Sequence, residues 1–453
     1  VSSLSYAVEY RSKLVSAEEA VKVVKSGDWL DWGQILSNPY ALDAALAARK
    51  EELEDIKIRL VMSAKVHEIW KVDPEGETFH MNNWHFGAAD RAQHDMGNAW
   101  HIPNLYRNNP LFYRKSLYDD VDVAMFRVPP MNKHGYFNFG CSVAVLRAIC
   151  DVARTIIVEV CPGLPWACGG REELLHISEV DYIVEADSPV VEIPAAPPTA
   201  TDEKIAEHVM KEMVDGACLQ LGIGGMPNVV GTLLAESDLK DLGCHSEMLC
   251  DAFFHLYEAG KLTNKRKSID IGKTTYAFAA GSQFLYDWID NNPSLAAYPT
   301  TYTNDPYIIS MNDNVVSINS CIEVDLFGQI SSESSGTRHI SGTGGQLDFV
   351  TGAYSSRGGK AIICCTSSYR DKQGNLHSRV VPMLPPGSIV SVPRTQAHIV
   401  ITEYGKCDLA GRSTWERAER IINVAHPDLR DGLVKEAQTM KIWSKSNKIT
   451  QFV

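Results

Sequence analysis

One short stretch gathers more chemically able side chains than any other: Asp241-Leu-Gly-Cys-His-Ser-Glu-Met-Leu-Cys-Asp-Ala-Phe-Phe254. A carboxylate (Glu247), an imidazole (His245), a hydroxyl (Ser246) and two thiols (Cys244, Cys250) fall within seven positions, where a core strand should run out. A carboxylate there could attack an activated carbonyl and hold the product covalently. Ser246 or Cys244 could do the same only with a second histidine and an acid beside it, and no spacing in the sequence places them. Cys250 reads as core. The plainer reading makes Glu247 an acid at a helix start, favoured by the peptide dipole. Local residues alone favour that plainer reading.

Two glycine clusters lie around this stretch. In Leu-Gly-Ile-Gly-Gly-Met-Pro-Asn (221–228) an apolar strand meets a helix whose first turn is expected to begin at Pro227. Glycines at 222, 224 and 225 let amides point outward beside a helix N-terminus, a favourable place for a phosphate or an oxyanion. A plain tight turn would look the same. The loop lacks the Gly-Lys-Ser/Thr ending of a Walker loop, and Pro227 stands where a dinucleotide fingerprint needs Gly. An oxyanion or an acyl carrier therefore fits it better than ATP or NAD. The second cluster, 331–353, holds Gly336, Gly342, Gly344, Gly345 and Gly352 and reads as a loop system over a cleft. Arg338, Arg370 and Lys372 nearby could meet phosphates, although solvated surface charge is the commoner fate of each.

Helix and strand signals alternate along the chain, which predicts α/β architecture with largely parallel sheets. The halves also resemble each other. Gly27 to Gly33 and Gly216 to Gly222 have the same spacing, and Pro39 and Pro227 are each followed seven residues later by Leu46 or Leu234. That repeat suggests an ancient duplication. The expectation is two similar open α/β domains, 1–190 and 202–453, joined by a Pro-rich linker at 191–201, with the active site in the cleft between them.

Composition narrows the partners. The net charge of -13 argues against nucleic acid or an anionic membrane as the main partner, though not against a small anionic substrate. No apolar run approaches the roughly 20 residues needed to span a bilayer, and the N-terminus has no signal-peptide core. The eleven cysteines include no CxxC pair or zinc-spaced cluster and read as buried thiols in a reducing cytosol. No metal site is expected.

Taken jointly, GxHSEM, the upstream LQLGIGGMP, the downstream ISGTGGQLDFVTGA and the long run 380–428 carry a resemblance. With VPPMNKHGYFNFG (128–140) they make the chain similar, over nearly its whole length, to the acetyl-CoA hydrolase/transferase family of CoA-transferases. The resemblance is nearest to members from anaerobic bacteria that act on butyryl-CoA or 4-hydroxybutyrate. It implies that Glu247 is the nucleophile, with ping-pong chemistry through a glutamyl-CoA thioester. It also implies that Asn304 of YTNDP orients Glu247; here Asp stands where the family commonly has His in NHP. Gly222, Ile223, Gly224, Gly225 and Met226 would line the CoA thioester, and Gly342 and Gly345 would contact CoA and carboxylate. Gln34 in GQILSNP would meet a substrate carboxylate or simply face water.

The implied reaction moves CoA from a short-chain acyl-CoA, butyryl-CoA favoured, to a carboxylic acid, acetate favoured. No permanent cofactor is required, since the CoA thioester is itself a substrate. Transfer to 4-hydroxybutyrate or propionate, or hydrolysis on the same fold, is the alternative, and a noncatalytic CoA-binding module is the more distant one. A cytoplasmic enzyme, dimeric or of higher homo-oligomeric order, completes the expectation.

Overall fold

The segments Ile56–Ser63, Val123–Val128 and Thr155–Val160 are short, apolar and buried along nearly their whole length. Segments of that kind are stable as parallel strands covered on both faces. The computed structural model, which describes residues 3–222 and 224–443, places them in a seven-stranded sheet. Its strands are β1 (Trp29–Ile35), β2 (Ile56–Ser63), β3 (Phe79–Asn83), β4 (Ala99–His101), β5 (Val123–Val128), β6 (Thr155–Val160) and β7 (Tyr182–Glu185). They lie in the order β4-β3-β2-β1-β5-β6-β7, each pair parallel.

The order runs outward from β1 on both sides, so the winding reverses between β1 and β5. In open parallel sheets ligands bind outside the carboxyl ends at such a reversal. The carboxyl end of β1 is irregular: Gly33 has φ 68°, Ile35 has φ 40°, and the register to β2 slips on either side of Gln34. A side chain at Gly33 is excluded, because its Cβ would lie 2.5 Å from Ser37 Oγ and 2.8 Å from Leu146 Cδ2. Beyond this bulge, helix α1 (Ala41–Ala47) starts over the buried Glu159, whose carboxylate accepts from the amides of Tyr40, Ala41 and Leu42.

A second sheet repeats the plan. Its strands include β8 (Cys218–Gln220), β9 (Gly243–Leu249), β10 (Val315–Ser320), β11 (Lys360–Cys364), β12 (Ile399–Thr402) and β13 (Gly405–Asp408). They run β9-β8-β10-β11-β12-β13, parallel except for the last pair. Here β8 is the point of reversal, as β1 is in the first sheet. The expectation of two similar α/β sheets, mainly parallel, is met.

The helices around it are α2 (Ala200–Met210), α3 (Gly225–Glu236), α4 (Asp251–Glu258) and α5 (Gln346–Ser355). Thr199 and Asp202 form a reciprocal cap on α2. Two local expectations are corrected. Helix α3 begins at Gly225, not Pro227, because a proline is tolerated anywhere in a first turn whose N–H groups lack partners. The 331–353 cluster is not loop throughout: it includes short strands and the start of α5.

By its contacts the chain divides into two units. One takes the residues up to Pro194 together with Glu247–Leu249 and Thr275–Thr303; the other takes Ala195–Ser246, Cys250–Thr274 and the chain from Asn304. Within the second unit, α3 and α4 approach closely at Gly231, where a Cβ would lie 2.6 Å from Ala252 Cβ and 3.2 Å from its backbone. That contact fixes both the helix carrying the glycine loop and the helix following Glu247. Replacing Gly231 by Val should cost about 1–3 kcal/mol through overpacking, read as a fall of several degrees in Tm by scanning calorimetry. A melting curve matching the parent's would show that the helices can separate freely.

Candidate active site

Strand β9 shows where its seven residues can reach water: six are buried and only Glu247, the fifth, is partly exposed. Helix α4 starts at Asp251, so Glu247 is a strand residue and the helix-start alternative falls away. Pairing of Cys218 with Gly243 and of Leu219 with Cys244 sets the register of β9 on β8. Ser246 Oγ then donates to Leu221 O at 3.3 Å, which ties the residue before Glu247 to the start of the glycine loop.

The neighbours of Glu247 are committed elsewhere. His245 is fully buried, its ring 6.3 Å from that of Phe349 on α5. Cys250 Sγ lies 3.5 Å from Gly222 O. Burial pushes the Cys250 thiol up to about 12 and the Cys244 thiol well above its usual value. Neither supplies a thiolate near neutral pH.

The glycine residues fall at two helix N-termini on one edge of the second sheet. Gly222 follows β8, Gly224 caps α3 with φ 135°, and Gly225 and Met226 open that helix. Ile223 lies outside the described residues. Gly345 caps α5, and Gly342 lies in the turn before it. That turn is pinned by buried Glu333, whose carboxylate accepts from Thr343 Oγ1 at 2.9 Å and whose carbonyl accepts from the amides of Ile340 and Ser341. Gln346 Nε2 donates to Ser320 O at 3.0 Å, holding the start of α5 against the carboxyl end of β10. Between the two helix starts, Gln220 on β8 and Asn319 on β10 exchange amide hydrogen bonds of 2.9 and 3.3 Å. Positive helix ends and outward amides gathered there suit a ligand carrying negative or carbonyl oxygens.

Asn304 is fully buried in the second unit, just before the short helix Pro306–Ser310. Asp305 beside it caps that helix, accepting from the amide of Tyr307 at 2.8 Å.

Gln34 does not face water. It is 2% exposed, its carbonyl accepts from Ser37 Oγ and Ser142 Oγ, each at 2.9 Å, and Tyr106 donates its hydroxyl to Gln34 Oε1. Burial, and after it the negative charge of Glu247, holds the Tyr106 hydroxyl protonated well above the usual phenol range. The bond to Gln34 opposes this but does not outweigh it. Tyr106 joins Gln34 across 72 residues, and nothing in its own sequence context signals the partnership.

Matching against known families decides the identity. An acetyl-CoA hydrolase/transferase N-terminal domain matches residues 2–194, and the corresponding C-terminal domain matches residues 281–437. The chain belongs to the acetyl-CoA hydrolase/transferase family. It is 51% identical over 442 residues to a probable butyrate:acetyl-CoA coenzyme A-transferase of Syntrophomonas wolfei, covering 97% of this chain and 98% of that one. It is 50% identical over 447 residues to a butyryl-CoA:acetate CoA-transferase of Anaerostipes caccae, covering 98% and 100%. A solved 4-hydroxybutyrate CoA-transferase of Porphyromonas gingivalis superposes with a TM-score of 0.76 at 31% identity, covering 96% and 100%. Among the described residues of this family member, no cluster of three or more His, Cys, Asp or Glu is placed to hold a metal ion. Nor is any helix among them long and apolar enough to cross a membrane.

Two outcomes follow from these protonation states. Iodoacetamide at pH 8 should leave activity intact over the time that consumes a model thiol; rapid inactivation traced to Cys244 or Cys250 would contradict their burial. The difference between the parent's and the Tyr106→Phe variant's ultraviolet titrations should show no phenolate band at pH 10–11 while the protein stays folded. A band there would mean that Tyr106 is solvated.

Proposed function

We propose that this chain moves CoA from a short-chain acyl-CoA to a carboxylate, with butyryl-CoA and acetate as the preferred pair and Glu247 as nucleophile. One observation carries the reading: Glu247 alone meets solvent on an otherwise buried strand, in a chain half identical end to end to curated transferases of that specificity. The Pro-rich stretch 191–201 is proposed as the linker between the two domains, since residues 186–199 hold no helix or strand.

The proposed steps balance without a proton. A Glu247 carboxylate oxygen attacks the acyl carbonyl, the C–S bond breaks, and an acyl-glutamyl anhydride and a CoA thiolate result. The thiolate attacks the glutamyl carbonyl, the anhydride C–O bond breaks, the first acid leaves as carboxylate, and CoA stays on Glu247 as a thioester. The incoming carboxylate reverses both steps. Each addition builds an oxyanion, for which a preorganised donor contributes roughly 3–4 kcal/mol. The amides that open α3 are our candidates for that task, and those of 342–345 for the carbonyls of the pantetheine arm. A fully buried His245 fits a cycle that needs no base.

Asn304 is proposed to orient the Glu247 carboxylate, as the family resemblance implies. Gln34 is proposed to donate to the substrate carboxylate. The Tyr106 hydroxyl, by occupying Gln34 Oε1, leaves Nε2 as the donating side of the amide.

The test is covalent. Borohydride added with butyryl-CoA should inactivate the enzyme, modify Glu247 by peptide mass spectrometry, and do neither without the thioester. An active Glu247→Ala protein would end the proposal. Tyr106→Phe should raise KM for acetate about fivefold, the worth of roughly one neutral hydrogen bond, with KM for butyryl-CoA little changed. Equal shifts in both constants would point to a general loss of packing.

A further inference from the structure

We infer that Cys321 and Cys365 form a redox-active dithiol whose oxidation to a disulfide slows CoA transfer by disturbing the start of α5. Each of the eleven cysteines is a free thiol, and register and access set this pair apart. Strands β10 and β11 are parallel, with Ser320 opposite Cys364. The next residues, Cys321 and Cys365, therefore stand opposite each other just past the strand ends. There the Cys321 amide still donates to Cys364 O at 3.0 Å. Paired parallel strands run about 4.8 Å apart, within the roughly 4.4–6.8 Å Cα separation that a disulfide accepts. Bridging thus needs new side-chain rotamers rather than a new backbone path. The two thiols are hydrogen-bonded to each other.

Neighbouring cysteines lack this arrangement. Successive residues of a strand point to opposite faces, which turns Cys364 away from Cys365. Cys218 and Cys244 also lie on paired strands, but Cys244 stands opposite Leu219, so their side chains leave on opposite faces. Both are fully buried, whereas Cys321 is partly exposed beside a buried Cys365. A reagent therefore meets Cys321 first. The hydrogen bond to Cys365, and after it burial, holds the Cys321 thiol well above its usual range, and the charge of nearby Arg379 opposes this. Thiolate is scarce and exchange is slow. The pair stays reduced through brief exposure and closes under a sustained oxidising poise.

The oxidant is a low-molecular-weight disulfide. The Cys321 thiolate attacks one of its sulfurs, the reagent's S–S bond breaks, and one thiolate leaves a mixed disulfide behind. Cys365 then attacks the Cys321 sulfur, the mixed bond breaks, and the second thiolate leaves. The protein gives up two electrons and two protons, and the two leaving thiolates take up the protons.

The consequence comes through one peptide unit. Ser320 C=O and Cys321 N–H share a single plane. Its N–H bonds to Cys364 O, and its oxygen accepts from Gln346 Nε2 at the start of α5. Drawing Cys321 toward β11 tilts that plane and weakens the hold on Gln346. The effect on turnover rests on the reading of the 342–345 amides given above; formation of the bond does not.

The full-length parent, Cys321→Ser and Cys365→Ala are each incubated overnight with oxidised glutathione. Samples are alkylated under denaturing conditions and mapped by non-reducing peptide mass spectrometry, and CoA-transfer activity is read before and after dithiothreitol. The parent should show a Cys321–Cys365 link and lose activity at least about fivefold, the worth of one neutral hydrogen bond. Dithiothreitol should restore it. Cys321→Ser should keep its activity, and Cys365→Ala should retain glutathione on Cys321 as the trapped mixed disulfide. Absence of the link, or a link to Cys364 instead, would overturn the inference. So would a fully linked parent whose activity stays within about twofold of the reduced sample, or equal inactivation of Cys321→Ser. Activity of the reduced parent tests the CoA-transfer reading separately.

Discussion

A parallel strand covered by helices on both faces shows neither face to water, so a polar side chain can meet a ligand only where the strand stops. The helices that connect such strands must run back antiparallel to them. The next helix therefore starts at the edge where its strand ended, and its unpaired amides collect there. Both sheets of this protein obey that rule. In the second, the ends of β8 and β10 carry the starts of α3 and α5, each introduced by glycine. A carboxylate at the corresponding end of β9 lies on a strand that is otherwise closed to solvent.

That arrangement suits carboxylate nucleophilicity. In water a carboxylate is well hydrated and a poor attacker; partial burial removes part of its hydration, while amide dipoles stabilise the charge that passes to the acyl oxygen. The side chains that would offer rival chemistry are disabled by the same burial. Cys244 and Cys250 are held as thiols, and Ser246 points its hydroxyl at a backbone carbonyl. Of the five able side chains in the stretch, the sheet thus leaves Glu247 as the one on the strand that meets solvent.

The parts of the site that lie along one local segment were legible from residue types and spacing. The glycine loop at 221–228 was legible, Gly224 holding a φ of 135° that few residues accept, and the matched glycine spacing of the halves pointed to two similar α/β domains. The start of α5 was not, because Gly345 has an ordinary φ and its cluster read as loop. Contacts made across the chain were not legible. Tyr106 reaches Gln34 over 72 residues, and Gln220 reaches Asn319 over 99. Nor can composition separate a reacting acid from a structural one. Asp43 and Glu159 are as buried as any site residue, yet they accept backbone amides at helix starts, Asp43 from Glu68 and Ile69 and Glu159 from Tyr40 to Leu42. Glu247 differs from them in being partly exposed, whereas Asp43 on its helix and Glu159 on its strand are fully buried, and residue types along the chain do not reveal that difference.

The two sheets share a winding but not a chemistry at its reversal. At the end of β8 the chain continues through glycines into a helix start, offering amides and little side chain. At the end of β1 the equivalent glycine, Gly33, survives because a Cβ would strike Ser37 and Leu146, but the next residue is Gln34, locked by Ser37, Ser142 and Tyr106. An amide-lined loop accepts any oxyanion or carbonyl of suitable reach. A single oriented amide side chain recognises one particular group at one particular position. If the halves arose from one unit, this shared position has diverged from a glycine loop opening a helix to a single amide side chain fixed by its neighbours. The positive φ of Ile35 belongs to the same bulge at the end of β1, while Gln34 itself is held by its hydrogen bonds to Ser37, Ser142 and Tyr106.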